Sequence, residues 1–452
     1  MAYELLPGWF MDFLPAWMFV FLFGLLLIGY PIAFTIGALA LLFGWLGFGL
    51  QFFNLLPLRI WGVMTNFTLV AVPLFVFMGV TLERSGLAEE LLDTMAILFG
   101  RLRGGLAISV TVVGALLAAS TGIVGATTVT MGLLSLPTML RRNYQPELAT
   151  GVIAASGTLG QIIPPSIVLV VLADIMNISV GDLFMGAVLP GLLLVALYLT
   201  YILIAGFLFP NIAPPIPAAE LAAISTRELV QRVMRSLVPP LALMLAVLGS
   251  IFAGIASPTE AAAVGASVAM LLVLWNGKFS AEMIRGVMRT TVRLTSMVFI
   301  ILVGAQAFGL TFRGLGGDDL IRDFLGHLPF GQWGVLAIVM ITLFIAGFFL
   351  DFIEITFIHV PVLTPLMVYY GFNPVWFGIL IAVNLQTSFL TPPFGYALFY
   401  LKSVCPPSVS TADIYRGIVP FVALQVVALV VVVFFPHLVL WMPCWVFGSQ
   451  CD

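Results

Sequence analysis

The stretch Pro137-Thr-Met-Leu-Arg-Arg-Asn-Tyr-Gln-Pro146 returns 228 positions later as Pro365-Leu-Met-Val-Tyr-Tyr-Gly-Phe-Asn-Pro374. The same displacement relates the pair Pro164-Pro165 to the pair Pro392-Pro393. A proline lacks the amide N–H and clashes with the carbonyl four residues earlier, so two in succession interrupt a helix. The chain therefore contains two copies of one unit, and each copy ends in a helix break.

The composition indicates a protein embedded in a lipid bilayer. Hydrophobic residues make up 62% of the chain and charged residues 8%, against about 45–50% and about 25% in soluble domains. We therefore expect an all-α polytopic membrane protein. The net charge of −3 argues against a nucleic-acid partner, and the three Cys and three His lack metal-ligand spacing. Apolar stretches long enough to cross a bilayer lie at 14–50, with a break at 29–31, and at 66–82, 183–209, 237–255, 260–275, 292–312 and 419–441.

Each copy follows the same order of predicted elements. Repeat 1 covers 66–210, with a re-entrant hairpin at about 104–140 and a broken helix at about 147–175. Repeat 2 covers 292–442, with a hairpin at about 335–368 and a broken helix at about 374–401. Paired broken helices at matching positions are typical of the binding site of a secondary transporter. The remaining segments are N-terminal scaffold spans at 1–65, central scaffold spans and basic loops at 211–291, and a C-terminal tail at 443–452.

The distribution of Lys and Arg predicts the orientation of the copies. If each hairpin returns to its own side and each broken helix crosses once, fourteen of the seventeen basic residues lie on one face. Only Arg59, Arg313 and Arg322 lie on the other. Such an excess marks the cytoplasmic side. The Arg141-Arg142 turn is then cytoplasmic and its counterpart faces outward, so we predict two inverted repeats.

The breaks are surrounded by neutral oxygen donors. A proline pair frees backbone carbonyls, which are costly at bilayer depth unless a polar group meets them. Ser156, Thr158, Gln161 and Ser166 lie around the first break, and Asn384, Gln386, Thr387, Ser388 and Thr391 around the second. Neither stretch holds a carboxylate, which favours a sodium ion over a proton. The alternative is that the prolines only kink their helices and the hydroxyls cap the freed groups.

Two acids stand apart in an apolar stretch of the second copy. Asp351 and Glu354 lie near the predicted hairpin tip, and ionisable residues inside a membrane segment indicate function. They tune the ion site or the solute site, or they lie in a water-filled vestibule; the sequence leaves these alternatives open. Ser257-Pro-Thr-Glu260 is a capping box that opens a central helix.

Three motifs resemble the large membrane subunit of tripartite ATP-independent periplasmic (TRAP) transporters. They are Gly157-Thr-Leu-Gly-Gln-Ile-Ile-Pro-Pro-Ser-Ile167, Ala256-Ser-Pro-Thr-Glu-Ala-Ala-Ala263 and Asn384-Leu-Gln-Thr-Ser-Phe-Leu-Thr-Pro-Pro-Phe-Gly395. The resemblance implies a bacterial inner-membrane, sodium-driven secondary transporter with an elevator mechanism, like that of the ion transporter superfamily. It implies a four-helix small membrane subunit (Q-type), a periplasmic solute-binding protein (P-type), and a small carboxylate such as a 2-oxo acid, hydroxy acid or dicarboxylate. Sodium is the coupling ion and no cofactor is expected.

The resemblance also places two sodium sites, each between a hairpin tip and a break. Where many relatives have Gly-Ser-Ser at the first tip, this chain has Ser120-Thr-Gly-Ile-Val-Gly125. The site 1 candidates are Ser120, Thr121, Gly122, Gly125, Thr158, Gly160, Gln161 and Pro164. The site 2 candidates are Asp351, Glu354, Thr356, Gln386, Thr387, Ser388, Thr391 and Pro392, and the solute candidates are Thr127, Thr128, Ser166 and Asn384.

Three other functions are compatible with parts of the pattern. A stand-alone cation/anion symporter shares the repeats but needs no binding protein. A channel does not need two site-like breaks. An intramembrane enzyme needs a clustered nucleophile, base or metal ligands, which the sequence does not offer.

Overall fold

The structure, a computed structural model, describes residues 10, 13–122, 124–222, 224–326, 331–392 and 395–449. Within these ranges the secondary structure is helical. Six of the described helices are long and apolar enough to cross a membrane, and eight spans result if each of two bent pairs is counted as one. The predicted all-helical membrane architecture is confirmed.

The N-terminal region consists of α1 (Leu14–Ile28), α2 (Ile32–Phe48) and α3 (Leu56–Met64). Gly29 ends α1 in the left-handed conformation at φ +96°, and Pro31 then precedes the first residue of α2. Glycine adopts positive φ without a Cβ penalty. The predicted division of the 14–50 stretch is therefore present.

The first copy begins with α4 (Ala71–Arg84) and α5 (Leu87–Phe99). A hairpin follows, made of α6 (Gly105–Thr121) and α7 (Val124–Arg141), and Gly122 ends α6 at φ +62°. The next helix, α8 (Pro146–Thr158), continues as a 3-10 turn at Leu159–Gln161 and then loses helical form. Helix resumes only at α9 (Ile167–Met176), beyond Pro164 and Pro165, and α10 (Val180–Leu208) completes the copy.

Four helices connect the copies: α11 (Ala218–Ala222), α12 (Thr226–Ser236), α13 (Val238–Phe252) and α14 (Pro258–Trp275). The predicted capping box opens α14. The Ser257 Oγ accepts the Glu260 N–H at 3.3 Å, and the Glu260 Oε2 accepts the Ser257 N–H at 2.7 Å.

The second copy follows the order of the first and adds one helix at its C-terminal end. It consists of α15 (Ala281–Gly314), α16 (Gly317–Gly326), α17 (Gly331–Ala346), α18 (Phe352–Ile358), α19 (Val360–Tyr369), α20 (Pro374–Leu390), α21 (Tyr396–Val404), α22 (Thr411–Phe434) and α23 (His437–Phe447). Its broken helix is the pair α20 and α21. These correspond to α8 and α9 of the first copy.

Three details differ from the prediction. The boundary between residues 291 and 292 falls inside α15, because the basic segment and the following span form one continuous helix. The returning limb of the second hairpin bends by 59° between α18 and α19, where Pro361 removes an N–H. The segment assigned as a tail from 443 is helical as far as Phe447.

Close helix packing joins the two copies. A Cβ on Gly151 of α8 would clash with the carbonyl oxygen of Gly417 in α22, and a Cβ on Gly417 would clash with the carbonyl oxygen of Glu147. Small residues allow helix backbones to approach closely in a membrane. In the same way α20 packs on α10, where Gly378 faces the side chain of Leu183.

Candidate functional site

The two broken helices meet at equivalent positions of the copies. The Gln386 Nε2 donates a hydrogen bond to the Thr158 Oγ1 at 3.2 Å, and both side chains are buried. These residues are 228 positions apart, which is the displacement of the internal duplication. The bond therefore joins each break to its own counterpart.

A cavity of about 290 Å³ lies where the hairpins and the breaks converge. The first copy contributes Gly122, Gly125 and Gln161 to its lining, and the second contributes Asp351, Glu354, Tyr396 and Tyr400. The facing wall is apolar and belongs to α15, with Leu294, Met297, Val298 and Ile301. One cavity thus brings together five of the predicted sodium-site residues, from both sites.

Several helices point their N-terminal ends at this cavity. Val124 begins α7, Ile167 begins α9 and Tyr396 begins α21, and all three residues line the cavity. Unpaired N–H groups give a helix N-terminus a partial positive charge, which favours an anion. These helix ends therefore favour an anionic group without a basic side chain, whereas the acids Asp351 and Glu354 in the same lining disfavour one.

Asp351 and Glu354 form a capping box at the second tip. Asp351 is the N-cap residue of α18, and the Glu354 Oε2 accepts its backbone N–H at 2.9 Å. The three-residue spacing is the same as in Ser257–Glu260, but the sequence interpretation treated these acids only as membrane charges. Asp351 and Glu354 also line the cavity, so the capping box lies at the cavity wall.

Four buried oxygens near the breaks have no hydrogen-bond partner among the described residues: the Thr128 Oγ1, Gln161 Oε1, Thr356 Oγ1 and Gln386 Oε1. Buried polar atoms are ordinarily paired, and an unpaired one costs about 1–3 kcal/mol. Thr128 and Thr356 also occupy equivalent positions, 228 residues apart. Neutral oxygens of this kind suit a sodium ion.

The other predicted residues lie around this centre. Thr387, Ser388 and Thr391 donate their hydroxyls to carbonyls of their own helix at 2.8–2.9 Å. Gly160 packs on the carbonyl of Ala118, Pro164 is buried in the first break, and Pro392 is partly exposed in the second. The side chains of Ser120 and Thr121 lie outside the described part of the structure.

None of the four predicted solute residues lines the cavity. Thr127, Thr128, Ser166 and Asn384 are all buried against neighbouring helices. The Ser166 Oγ donates to the Gln161 carbonyl at 3.3 Å, and the Asn384 Nδ2 donates to the Met340 carbonyl at 2.8 Å.

Tyr396 and Tyr400 are cavity residues that the sequence interpretation missed. The Tyr396 hydroxyl donates to the Phe349 carbonyl at 2.7 Å, and the Tyr400 ring covers Gly125 at the opposite tip. Their spacing of four residues puts both rings on one face of α21. That spacing, directly after the second break, was the signal available in the sequence.

Comparison with known proteins places this architecture in a family. The chain is 32% identical over 392 residues to the C4-dicarboxylate TRAP transporter large permease protein DctM of Pseudomonas aeruginosa, covering 86% of this chain and 89% of the relative. It is 30% identical to the ectoine/5-hydroxyectoine TRAP transporter large permease protein UehC of Ruegeria pomeroyi, covering 83% and 86%. It is 28% identical to the sialic acid TRAP transporter large permease protein SiaM of Vibrio cholerae, covering 93% and 96%.

A solved structure shares the fold. The YdaH transporter of Alcanivorax borkumensis superimposes with a TM-score of 0.61 over 89% of this chain and 90% of that chain, at 14% sequence identity. The model of the DctM component of the tripartite ATP-independent periplasmic transporter matches residues 19–438. The chain therefore belongs to the DctM family of TRAP transporter large permeases, as a multi-pass membrane protein.

Proposed function

We propose that this permease carries out sodium-coupled secondary active uptake of a small organic acid across the bacterial inner membrane. The solute is a 2-oxo acid, hydroxy acid or dicarboxylate delivered by a periplasmic solute-binding protein, and a small four-helix subunit completes the membrane complex. The observation that carries this proposal is the single cavity shared by both tips and both breaks. Helix N-termini and Gln161, whose Oε1 has no partner among the described residues, line this cavity.

The packing of the helices supports an inverted duplication. Helix α8 of the first copy packs on α22 of the second, and α20 of the second packs on α10 of the first. Because these are equivalent pairs, the arrangement is reciprocal, as a two-fold axis requires. The Thr158–Gln386 bond lies where such an axis passes, and the charge asymmetry of the loops sets the two copies in opposite directions.

Two sodium ions bind beside the cavity in this proposal. The first is held between Thr128, Thr158 and Gln161, and the second between Thr356, Gln386 and the Asp351 carboxylate. The Thr128, Gln161, Thr356 and Gln386 side chains bring buried oxygens without a partner among the described residues, whereas the Thr158 hydroxyl already bonds the Ala155 carbonyl and the Gln386 amide. The ions compensate the free carbonyls at the breaks and fix the tips against them.

The solute then binds between the ordered tips. Its carboxylate faces the N-terminal ends of α7, α9 and α21, and Tyr396 and Tyr400 close the side away from α15. Once the ions and the solute neutralise the site, the two hairpins and broken helices slide as one transport domain along the apolar face of α15. Without ions the acidic second tip resists this movement, which couples the solute to sodium.

Reconstituted vesicles test the proposal. The two membrane subunits and a solute-loaded binding protein should give uptake that persists without ATP and stops when the sodium gradient is collapsed. Uptake that ignores sodium would refute the coupling. Uptake of free solute without any binding protein would instead identify a stand-alone symporter.

A further inference from the structure

A hydrogen bond joins the scaffold to a broken helix at the outer end of the molecule. The Asn66 Nδ2 donates to the Asp174 Oδ1 at 2.8 Å. Asn66 lies just before α4, and its own Oδ1 accepts the Thr68 N–H at 3.0 Å, so its orientation is fixed on the scaffold side. Asp174 lies in the last turn of α9, which belongs to the proposed transport domain.

Two cavities lie one above the other along α15. The central cavity touches residues 294–301 of this helix. A second cavity, of about 320 Å³, touches Leu302, Gln306 and Leu310 and is also lined by Asn66 and Asp174. The central cavity lies nearer to the cytoplasmic Arg293, and the second lies nearer to the outer Arg313. The centres of the two stretches are roughly 13 Å apart at the rise of an α-helix.

We propose that the Asn66–Asp174 hydrogen bond is a lock that holds the transport domain in its inward position, and that the outer cavity receives the tips when the bond opens. The inference rests on the proposed sliding movement. A displacement of roughly 13 Å far exceeds the reach of a hydrogen bond. The Asn66–Asp174 pair therefore exists in one of the two positions and biases the equilibrium between them.

A second bond supports the same assignment. The Thr130 Oγ1 of α7 donates to the Glu83 Oε1 of α4 at 2.8 Å. Helix α4 is thus tied near both ends to the moving hairpin and half-helix. A hydrogen bond to a charged acceptor changes an equilibrium constant roughly tenfold to a hundredfold, which is enough to shift the balance of the two positions.

The accessibility of the central cavity from each side of the membrane reports whether the Asn66–Asp174 hydrogen bond holds the inward position. The reporter is I353C at the cavity lining, in a chain whose Cys405, Cys444 and Cys451 are replaced by Ser. Oriented vesicles of the two-subunit membrane complex are then treated with a membrane-impermeant maleimide. N66A and D174A should each raise the labelling rate from the outer side about tenfold or more and lower it from the inner side. The matched control is T65A, whose exposed hydroxyl donates to the Trp61 carbonyl.

The exchange variant N66D/D174N tests the bond itself. It swaps donor and acceptor, keeps a side-chain oxygen for the Thr68 N–H, and should return labelling to the parental ratio. Unchanged labelling in well-folded single variants, or a shift that the exchange does not reverse, would overturn the lock. Uptake insensitive to sodium would refute the proposed coupling while leaving a reversible labelling shift intact, so the two failures are distinguishable.

Discussion

Replacing Thr356 by Val should raise stability in the absence of sodium and raise it less in the presence of sodium. Thr356 is fully buried, and its hydroxyl has no hydrogen-bond partner in the described structure. Val has nearly the same shape and no polar atom. In sodium-free solution, T356V should therefore raise the free energy of unfolding by about 1–3 kcal/mol, the cost of an unpaired buried hydroxyl.

In sodium this gain in the free energy of unfolding becomes smaller. Sodium stabilises the folded protein according to its concentration relative to its Kd, and losing one oxygen ligand that weakens binding tenfold removes up to about 1.4 kcal/mol of that stabilisation. Thermal unfolding of the purified complex in choline and in sodium salts measures both effects. The sodium-dependent rise in Tm should shrink in T356V, and T128V should behave alike.

T111V is the matched control. Thr111 is also fully buried in a hairpin helix, but its hydroxyl donates to the Ala107 carbonyl at 3.0 Å. Loss of this hydrogen bond should lower the free energy of unfolding slightly in both salts and leave the sodium-dependent rise in Tm unchanged. If T356V lowers stability in choline and keeps the full sodium increment, Thr356 is only a structural residue and the assignment of the ion sites is wrong.

Three further predictions follow from packing and hydrogen bonding. G151A should lower the free energy of unfolding by about 1–3 kcal/mol because its Cβ meets the α22 backbone. G24A, whose added Cβ would have nothing within 4 Å, should leave the free energy of unfolding unchanged or raise it by up to about 1 kcal/mol. Denaturation of the two variants measures the difference. S257A should lower the free energy of unfolding by about 0.5–2 kcal/mol because the α14 cap is lost. S267A on the same helix is the control and should leave this free energy nearly unchanged. Q386L should reduce sodium-driven uptake more than tenfold, because it removes both the contact with Thr158 and a proposed sodium ligand, while protein abundance in the membrane stays near the parental level. Normal uptake would contradict the proposed role of Gln386.

Much of the architecture could be predicted because it depends on local rules. The repeated Pro-Pro pairs interrupt helices by chain geometry alone, and the structure ends α8 and α20 just before them. The 228-residue displacement even relates Thr158 to Gln386, which are in contact. Apolar composition and length were sufficient for the membrane class.

The remaining features depend on tertiary packing. The Asn66–Asp174 pair is separated by 108 residues, and the displacement of 228 residues leads to Leu294 and Lys402, which are not an equivalent pair. The burial of Asn384 against Met340 likewise follows from which face of α20 meets α17. The Asp351–Glu354 capping box was available from its spacing, but the expectation that membrane acids are functional obscured it.

Simultaneous measurement of solute and sodium entry tests the central claim most directly. Vesicles containing both membrane subunits, supplied with a solute-loaded binding protein and radioactive sodium, report both fluxes in one experiment. The two-site account predicts that sodium enters only when solute does, with about two sodium ions for each solute molecule, as the two proposed sites require. Solute accumulation without any accompanying sodium would contradict the account.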